Sequence, residues 1–498
     1  MAKDVLIGLD LGTTVLKAAA MESPGGRLLA GDQVRLPVRA GADGAREQQP
    51  IALVRAVGRL AERLRERLGR QAWARVAGVG LAAQGASGML ADDATGRARS
   101  PMQLWSDLRP LGLLPRIAAR APRGYWRRLA YLKGPGRGLA RIEWLRSRHG
   151  WPEGTMYVGA GEFLFFHLTG CWRQDAGNAV QMGCYDARRQ SLATKPLELV
   201  GLSLEAVAPL RQGHRTAMLS ARGAALMRLP EHLPAAGPYM DHEAGYLAVT
   251  GLGRRVMQCS LGTAWVANYL SSGGPPLPGA MSLVLPSPLG GGRLVIRVML
   301  AGNASWDWGA ATLVGASPRA MERAQRELAD RLLPPEGLTA LPWLTMPNPL
   351  AAGCAGAGGF LGISTTTSRT DLLAALAAGM CYEMARLVQP VLKLRRADCV
   401  VLSGGASHVA SIRALLAGLL APAPVAHLAD DFAGCRGAVW AFDHRVVPRH
   451  ASPVPLPDAG QRRAIRRQYE QYVRLCRVLG RGLGHDGGLY LRSGGQGR

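Results

Sequence analysis

The chain has 498 residues, 48% of them hydrophobic and 19% charged, with a formal net charge of +25. Single cores stop growing at about 250–300 residues, so the length predicts two domains, and the apolar content excludes a disordered chain. Only five of the basic residues are lysines and the arginines are scattered, which argues against nucleic-acid binding and leaves the charge a part in attracting anionic substrates.

The eight cysteines form no CxxC pair and no zinc-type spacing, so they are expected as reduced, buried thiols in a cytoplasmic protein. The N-terminal stretch MAKDVLIGLD carries an acid inside its apolar run and reads as no signal peptide. No uncharged apolar run has the length of a membrane span.

In chain order, DVLIGLDLGTTVLKAAAMESPGGRLLAGDQVRL reads as three strands joined by Gly turns. QQPIALVRAVGRLAERLRERLGRQAWARV has helical spacing, and VAGVGLAAQG is a buried strand. Two further helical stretches, GLARIEWLRSRHG and AGEFLFFHLTG, belong with this first domain, expected over residues 1–245. A second strand series opens at RVMQCSLGTAWVANYLSS, within a second domain over 246–498. There follow a long helix from Arg369, the strand DCVVLSGGAS, the helix VASIRALLAGLLA and an amphipathic terminal helix.

Leu11-Gly12-Thr13 returns as Leu261-Gly262-Thr263, by chance or because two similar halves each present a turn to a common cleft. A tight Gly turn with threonines aims amides and hydroxyls at one point, as phosphate oxygens require; an ordinary hairpin is the plainer reading. Asp10 precedes the first turn, where a carboxylate suits Mg²⁺. Asp241, in GPYMDHEAG between the two turns, is either a base for in-line phosphoryl transfer or a helix cap. LSGGASH lets a ring or a phosphate approach the backbone at Gly404 and Gly405, or is a plain strand-to-helix turn. LWSDLRP groups Trp105, Asp107 and Arg109 as a sugar contact or a surface pair. GxxxxGK[ST] does not occur, which removes a P-loop enzyme.

Taken together and in order, these motifs resemble the FGGY carbohydrate kinases of the actin-like ATPase superfamily. GLDLGTT with Lys17 is similar to that family's first phosphate motif, LWSDLR to its W-x-D-x-R segment and RQDAGNAVQMGCYDARRQ to its Asp-x-x-Asn-Ala block. MDHEA is similar to its catalytic-Asp segment, SLGTAW to its second phosphate motif and LSGGAS to its adenosine segment. The resemblance implies two α/β domains of the ribonuclease H-like type, each a mixed five-stranded sheet flanked by helices, with ATP and Mg²⁺ in the cleft between them.

By the same resemblance Asp241 is the general base and joins Asp10 at the metal. Gly12, Thr13, Thr14, Lys17, Gly262 and Thr263 meet phosphate, while Gly404, Gly405 and Ala406 meet adenosine. Gln84, Gly85, Ser87, Trp105, Asp107, Arg109 and His242 face a sugar or polyol, the expected partner, with a homodimer left open. The chain departs from the family at Ala378, His408 and Gly418, which concerns nucleotide affinity. AQGASG replaces both the Gln-Met-His-Gly of xylulokinases and the Arg-Glu of glycerol kinase, so neither substrate carries across. A sugar sensor or scaffold without activity, and an actin-like or chaperone-type ATPase, are the alternative readings.

Overall fold

The computed structural model describes residues 3–482 except 263, 278–280, 300–301, 316, 330 and 345–357. The first sheet begins with β1 (Val5–Leu11), β2 (Val15–Glu22) and β3 (Leu28–Arg35), an antiparallel meander. β1 is buried along nearly its whole length, as an apolar run interrupted only by Asp10 requires of a central strand. Helix α1 (Pro50–Ala74) starts on a proline at its first position, and its backbone breaks at Gly69, where φ is 73°. It leads into β4 (Val76–Ala83), parallel to β1.

Two more strands close this sheet: β5 (Ala217–Met218) at the edge and β6 (Pro234–Met240), parallel to β4. The order is β5-β6-β4-β1-β2-β3. Three helices in the long connection between β4 and β5 matter below: α2 (Arg137–His149), α3 (Ala160–Thr169) and α4 (Ala176–Met182). Helix α5 (Asp241–Leu247) follows β6 directly.

The second sheet comprises β7 (Val256–Leu261), β8 (Trp265–Ser271), β9 (Met281–Pro286), β10 (Arg293–Met299), β11 (Cys399–Ser403), β12 (Val425–His427) and β13 (Ser452–Pro453). Its order is β9-β10-β8-β7-β11-β12-β13. Five central strands therefore repeat one arrangement, β3-β2-β1-β4-β6 in one sheet and β10-β8-β7-β11-β12 in the other. Both sheets are wider than the expected five strands, by β5 in the first and by β9 and β13 in the second.

Around the second sheet lie α6 (Gly302–Leu313), α7 (Arg369–Leu394), α8 (Ala410–Leu420), α9 (Ala433–Ala438) and α10 (Ala459–Gly482). Helix α7 is started by a capping box in which Ser368 and Asp371 satisfy each other's backbone amides. Helix α9 leaves its own sheet and lies on the first one. Gly8 and Gly80 are register partners on β1 and β4, and a Cβ on either would strike the carbonyl of Cys435 or of Ala438. The two glycines are thus the floor on which α9 rests.

Candidate active site

Strand register sets the centre of the site. Leu11, Ala83 and Met240 are aligned across β1, β4 and β6, so the residues that follow them, Gly12, Gln84 and Asp241, emerge side by side. This is the carboxyl edge of parallel strands, where open α/β sheets bind ligands. The Gly12 amide closes its turn on the Val15 carbonyl at 2.9 Å, and the Gln84 amide donates to the Leu11 carbonyl at 2.8 Å.

Side chains then knit the first turn to the segment that follows β4. The Thr13 hydroxyl donates to Gln84 Oε1 at 2.9 Å and accepts from Trp105 Nε1 at 3.0 Å. The Ser87 hydroxyl donates to the same Gln84 oxygen at 3.2 Å and accepts from the Trp105 amide at 3.1 Å. Gln48 Nε2 donates to the Thr13 carbonyl at 2.8 Å. Gln84 itself is only 4% exposed, and its Nε2 finds no partner among the described residues. A buried amide donor left open costs about 1–3 kcal/mol.

Two carboxylates and an ammonium meet at the same edge. Burial, and then the charge of Asp241, push the Asp10 carboxyl up to about 6, against the pull of Lys17. Lys17 Nζ donates to the Asp431 carbonyl at 2.7 Å, in the loop that leads into α9, so this lysine ties the two halves together. Asp241 is one-third exposed, and its Oδ1 accepts the His242 amide at 2.8 Å. The His242 carbonyl in turn accepts from Asn268 Nδ2 of β8 at 3.4 Å, seating α5 on the second sheet.

In the second sheet, the turn between β7 and β8 is pinned by Asn303. Its amide donates to the Gly262 carbonyl at 3.2 Å, its Nδ2 to the Leu261 carbonyl at 3.4 Å, and its Oδ1 accepts Trp265 Nε1 at 2.9 Å. Gly404 has φ 87° and abuts Leu261, a conformation and a closeness that favour glycine. Gly405 and Ala406 then line a cavity of about 140 Å³ with Trp306, Met380, Val409 and Ile412. Asn303, Asp307 and Gln325 also line it, so the slot pairs apolar walls with polar side chains beside a glycine turn, which suits a flat heterocycle.

The model of the FGGY family of carbohydrate kinases, N-terminal domain, matches residues 5–248. The chain belongs to the FGGY family of carbohydrate kinases. An apulose kinase of Pectobacterium atrosepticum is 37% identical over 109 residues, 22% of this chain and 21% of that relative, so the match spans about a fifth of the curated protein. Among solved structures, a xylulose kinase from Rhodospirillum rubrum is 21% identical with a TM-score of 0.79, covering 96% of this chain and 99% of its own. A gluconate kinase from Lactobacillus acidophilus is 15% identical with a TM-score of 0.76, covering 96% of this chain and 98% of its own. The fold is the two-domain α/β fold of the FGGY kinases.

Within this FGGY fold, the expected residues are used unequally. Thr13, Gln84, Ser87 and Trp105 form one bonded cluster, with Gly12 in the adjoining turn and Asp10 and Asp241 at its edge. Gly85 gives room to Gln181, whose Nε2 donates to Met240 Sδ at 3.3 Å. Thr14 is exposed beside the cluster, and Thr263 lies outside the described residues.

Asp107 and Arg109 differ from the expected sugar contact. The Asp107 carboxylate accepts the Arg46 amide at 2.9 Å, the Arg109 amide at 3.1 Å, and Arg109 Nε and Nη2 at 3.1 and 2.7 Å. Arg109 also reaches Glu47 at 2.5 Å and stacks on Trp144. All four lone-pair directions of Asp107 are consumed, so the pair braces the loop beneath Trp105 instead of facing the cleft.

Two of the three departures from the family sit in packed surroundings. Ala378 is buried within α7, and Gly418 abuts Ile465 of α10, where a larger side chain would intrude. His408 meets Asp431 at 3.2 Å, next to the carbonyl that holds Lys17. Sequence reading missed Gln48, Gln181 and Asn303, because nothing local marks an amide side chain that clamps a distant turn.

Proposed function

We propose that the protein is an ATP-dependent kinase that phosphorylates a hydroxyl of a pentulose or of a related sugar or polyol. The observation that carries this reading is the alignment of Gly12, Gln84 and Asp241 at one sheet edge, with the Asn303-pinned turn at the corresponding edge of the other sheet. Family membership and the likeness to xylulose and gluconate kinases support it.

Asp241 is the base in this reading. It accepts the proton of the substrate hydroxyl as that oxygen bonds to the γ-phosphorus and ADP leaves with the electrons of the broken P–O bond. The His242 amide holds one Asp241 oxygen, leaving the other for the substrate. Gln84 Nε2 orients a second hydroxyl, and Trp105 offers an apolar face. Gly262, Gly404, Gly405 and Ala406 take the nucleotide, with Gly12, Thr14 and Lys17 near its phosphates.

Asp10 and Asp241 suit Mg²⁺, because Asp241's charge already raises the Asp10 carboxyl and a divalent cation relieves that repulsion. Bound there, the ion would neutralise phosphate charge as it develops. Water exclusion falls to closure of the cleft, across which Lys17 and α9 already join the domains.

The test is Asp241→Asn, which keeps the shape of the side chain and removes the base. ADP release in the presence of sugar should fall by at least about a thousandfold, with melting temperature and nucleotide binding unchanged. Turnover at the wild-type level would reject Asp241 as the base.

A further inference from the structure

Arg137 is the first residue of α2 and part-buried, yet among the described residues it has no carboxylate in ion-pair range and no hydrogen-bond acceptor. Other buried arginines of this domain are engaged: Arg109 by Asp107, Arg211 by Glu243, and Arg141 by two carbonyls. Desolvation, followed by the like charge of Arg141, pulls the Arg137 guanidinium down to about 10. The positive end of the helix adds to that cost. A part-buried cation without a counter-charge loses hydration with nothing in return, and such groups are normally paired.

Its neighbourhood is the sugar side of the site. One turn on and on the same face, Arg141 grips the Ala86 carbonyl and donates to the Leu104 carbonyl at 3.0 Å. Those carbonyls belong to the segments that carry Gln84, Ser87 and Trp105. The preceding Gly136 abuts Met182 and Gly183, next to the Gln181 that covers Gly85 and touches Met240. Arg137 is thus one helical turn from the residue that grips the Gln84 and Trp105 segments.

We propose that Arg137 binds an oxyanion on the acceptor, so that the substrate is a polyhydroxylated chain bearing an acid group instead of a neutral ketose. This rests on the kinase reading above and, among its acceptors, moves the choice from the neutral pentulose to an acidic relative. A guanidinium fork matches both carboxylate and phosphate in bidentate fashion, so an aldonate and a sugar monophosphate share the required chemistry.

The experiment measures ADP release and, separately, calorimetric binding. Aldonates, sugar monophosphates and neutral ketoses of equal chain length are compared on the full chain and on Arg137→Met and Arg137→Lys. One acidic class should exceed its neutral counterpart about tenfold or more in kcat/KM. Arg137→Met should raise its KM by about 10- to 100-fold with little change in kcat, and Arg137→Lys should recover part of that loss. Without ligand, Arg137→Met should melt no lower than the wild type, since an unpaired charge is removed; a purely structural arginine would lower it.

Neutral ketoses turned over best, with KM indifferent to Arg137, would overturn the inference and leave the kinase reading standing. Acid binding that Arg137→Met abolishes, without any ADP release, would uphold the inference and reject the kinase. No binding of either acidic class overturns the inference.

Discussion

Asp107 and Glu162 show two ways in which single carboxylates near the site hold it in shape. Removing Asp107 leaves Arg109 with Glu47 alone and frees the Arg46 amide, so Asp107→Ala should cost about 2–3 kcal/mol in urea unfolding. A raised sugar KM without loss of stability would make Asp107 a substrate contact after all. Glu162 accepts Asn178 Nδ2 at 2.6 Å, and Asn178 Oδ1 accepts the Ala86 amide of the sugar segment at 3.3 Å. Burial, then the charge of Asp175, push the Glu162 carboxyl up to about 8. The folded chain thus keeps a proton that the unfolded chain releases above 4.5, and stability falls as pH rises from about 4.5 to 8. Glu162→Gln keeps an acceptor for Asn178 and removes the titration. Its melting temperature should match the wild type near pH 5 and exceed it near pH 8; parallel pH profiles would contradict this.

Helix α9 is the element that joins the domains, because it belongs to the second half in sequence and rests on β1, β4 and α5 of the first. Its approach is close enough that a Cβ on Gly437 would overlap the Ala244 carbonyl, backbone against backbone. Gly437→Ala should therefore cost about 2 kcal/mol. Gly112→Ala, at a glycine with nothing within 4 Å, should stay within about 0.5 kcal/mol of the wild type. Thermal unfolding of the two variants side by side measures the difference, and equal melting temperatures would deny α9 this role. The contact also bears on Asp241, which starts α5, the helix on which α9 packs.

At the scale of the whole molecule, the cleft is bounded by turns from both sheets, so a ligand that bridges them stabilises the pair. A nucleotide at about a hundredfold its Kd should add about 2.7 kcal/mol to unfolding, and sugar with nucleotide should add more than either alone. Thermal scans with a non-hydrolysable ATP analogue check this, and the absence of any shift would count against the nucleotide site. Much of the architecture was legible along the chain. The meander ahead of α1, the strand into LSGGAS, the long α7 and the echo of Leu-Gly-Thr are all local signals, carried by apolar periodicity and by turns that need glycine. What each polar side chain faces was not legible. Thr13 is satisfied by Gln84, 71 positions away, and Lys17 by the Asp431 carbonyl, 414 positions away. The same holds for Asp107, spent on Arg109 and Arg46, and for Arg137, left without a counter-charge among the described residues. Hydrogen bonding and burial are properties of what surrounds an atom, and only the folded chain assembles those surroundings; the sequence determined which groups could meet phosphate and sugar, and the tertiary structure decided which of them were still unpaired when the strands came into register.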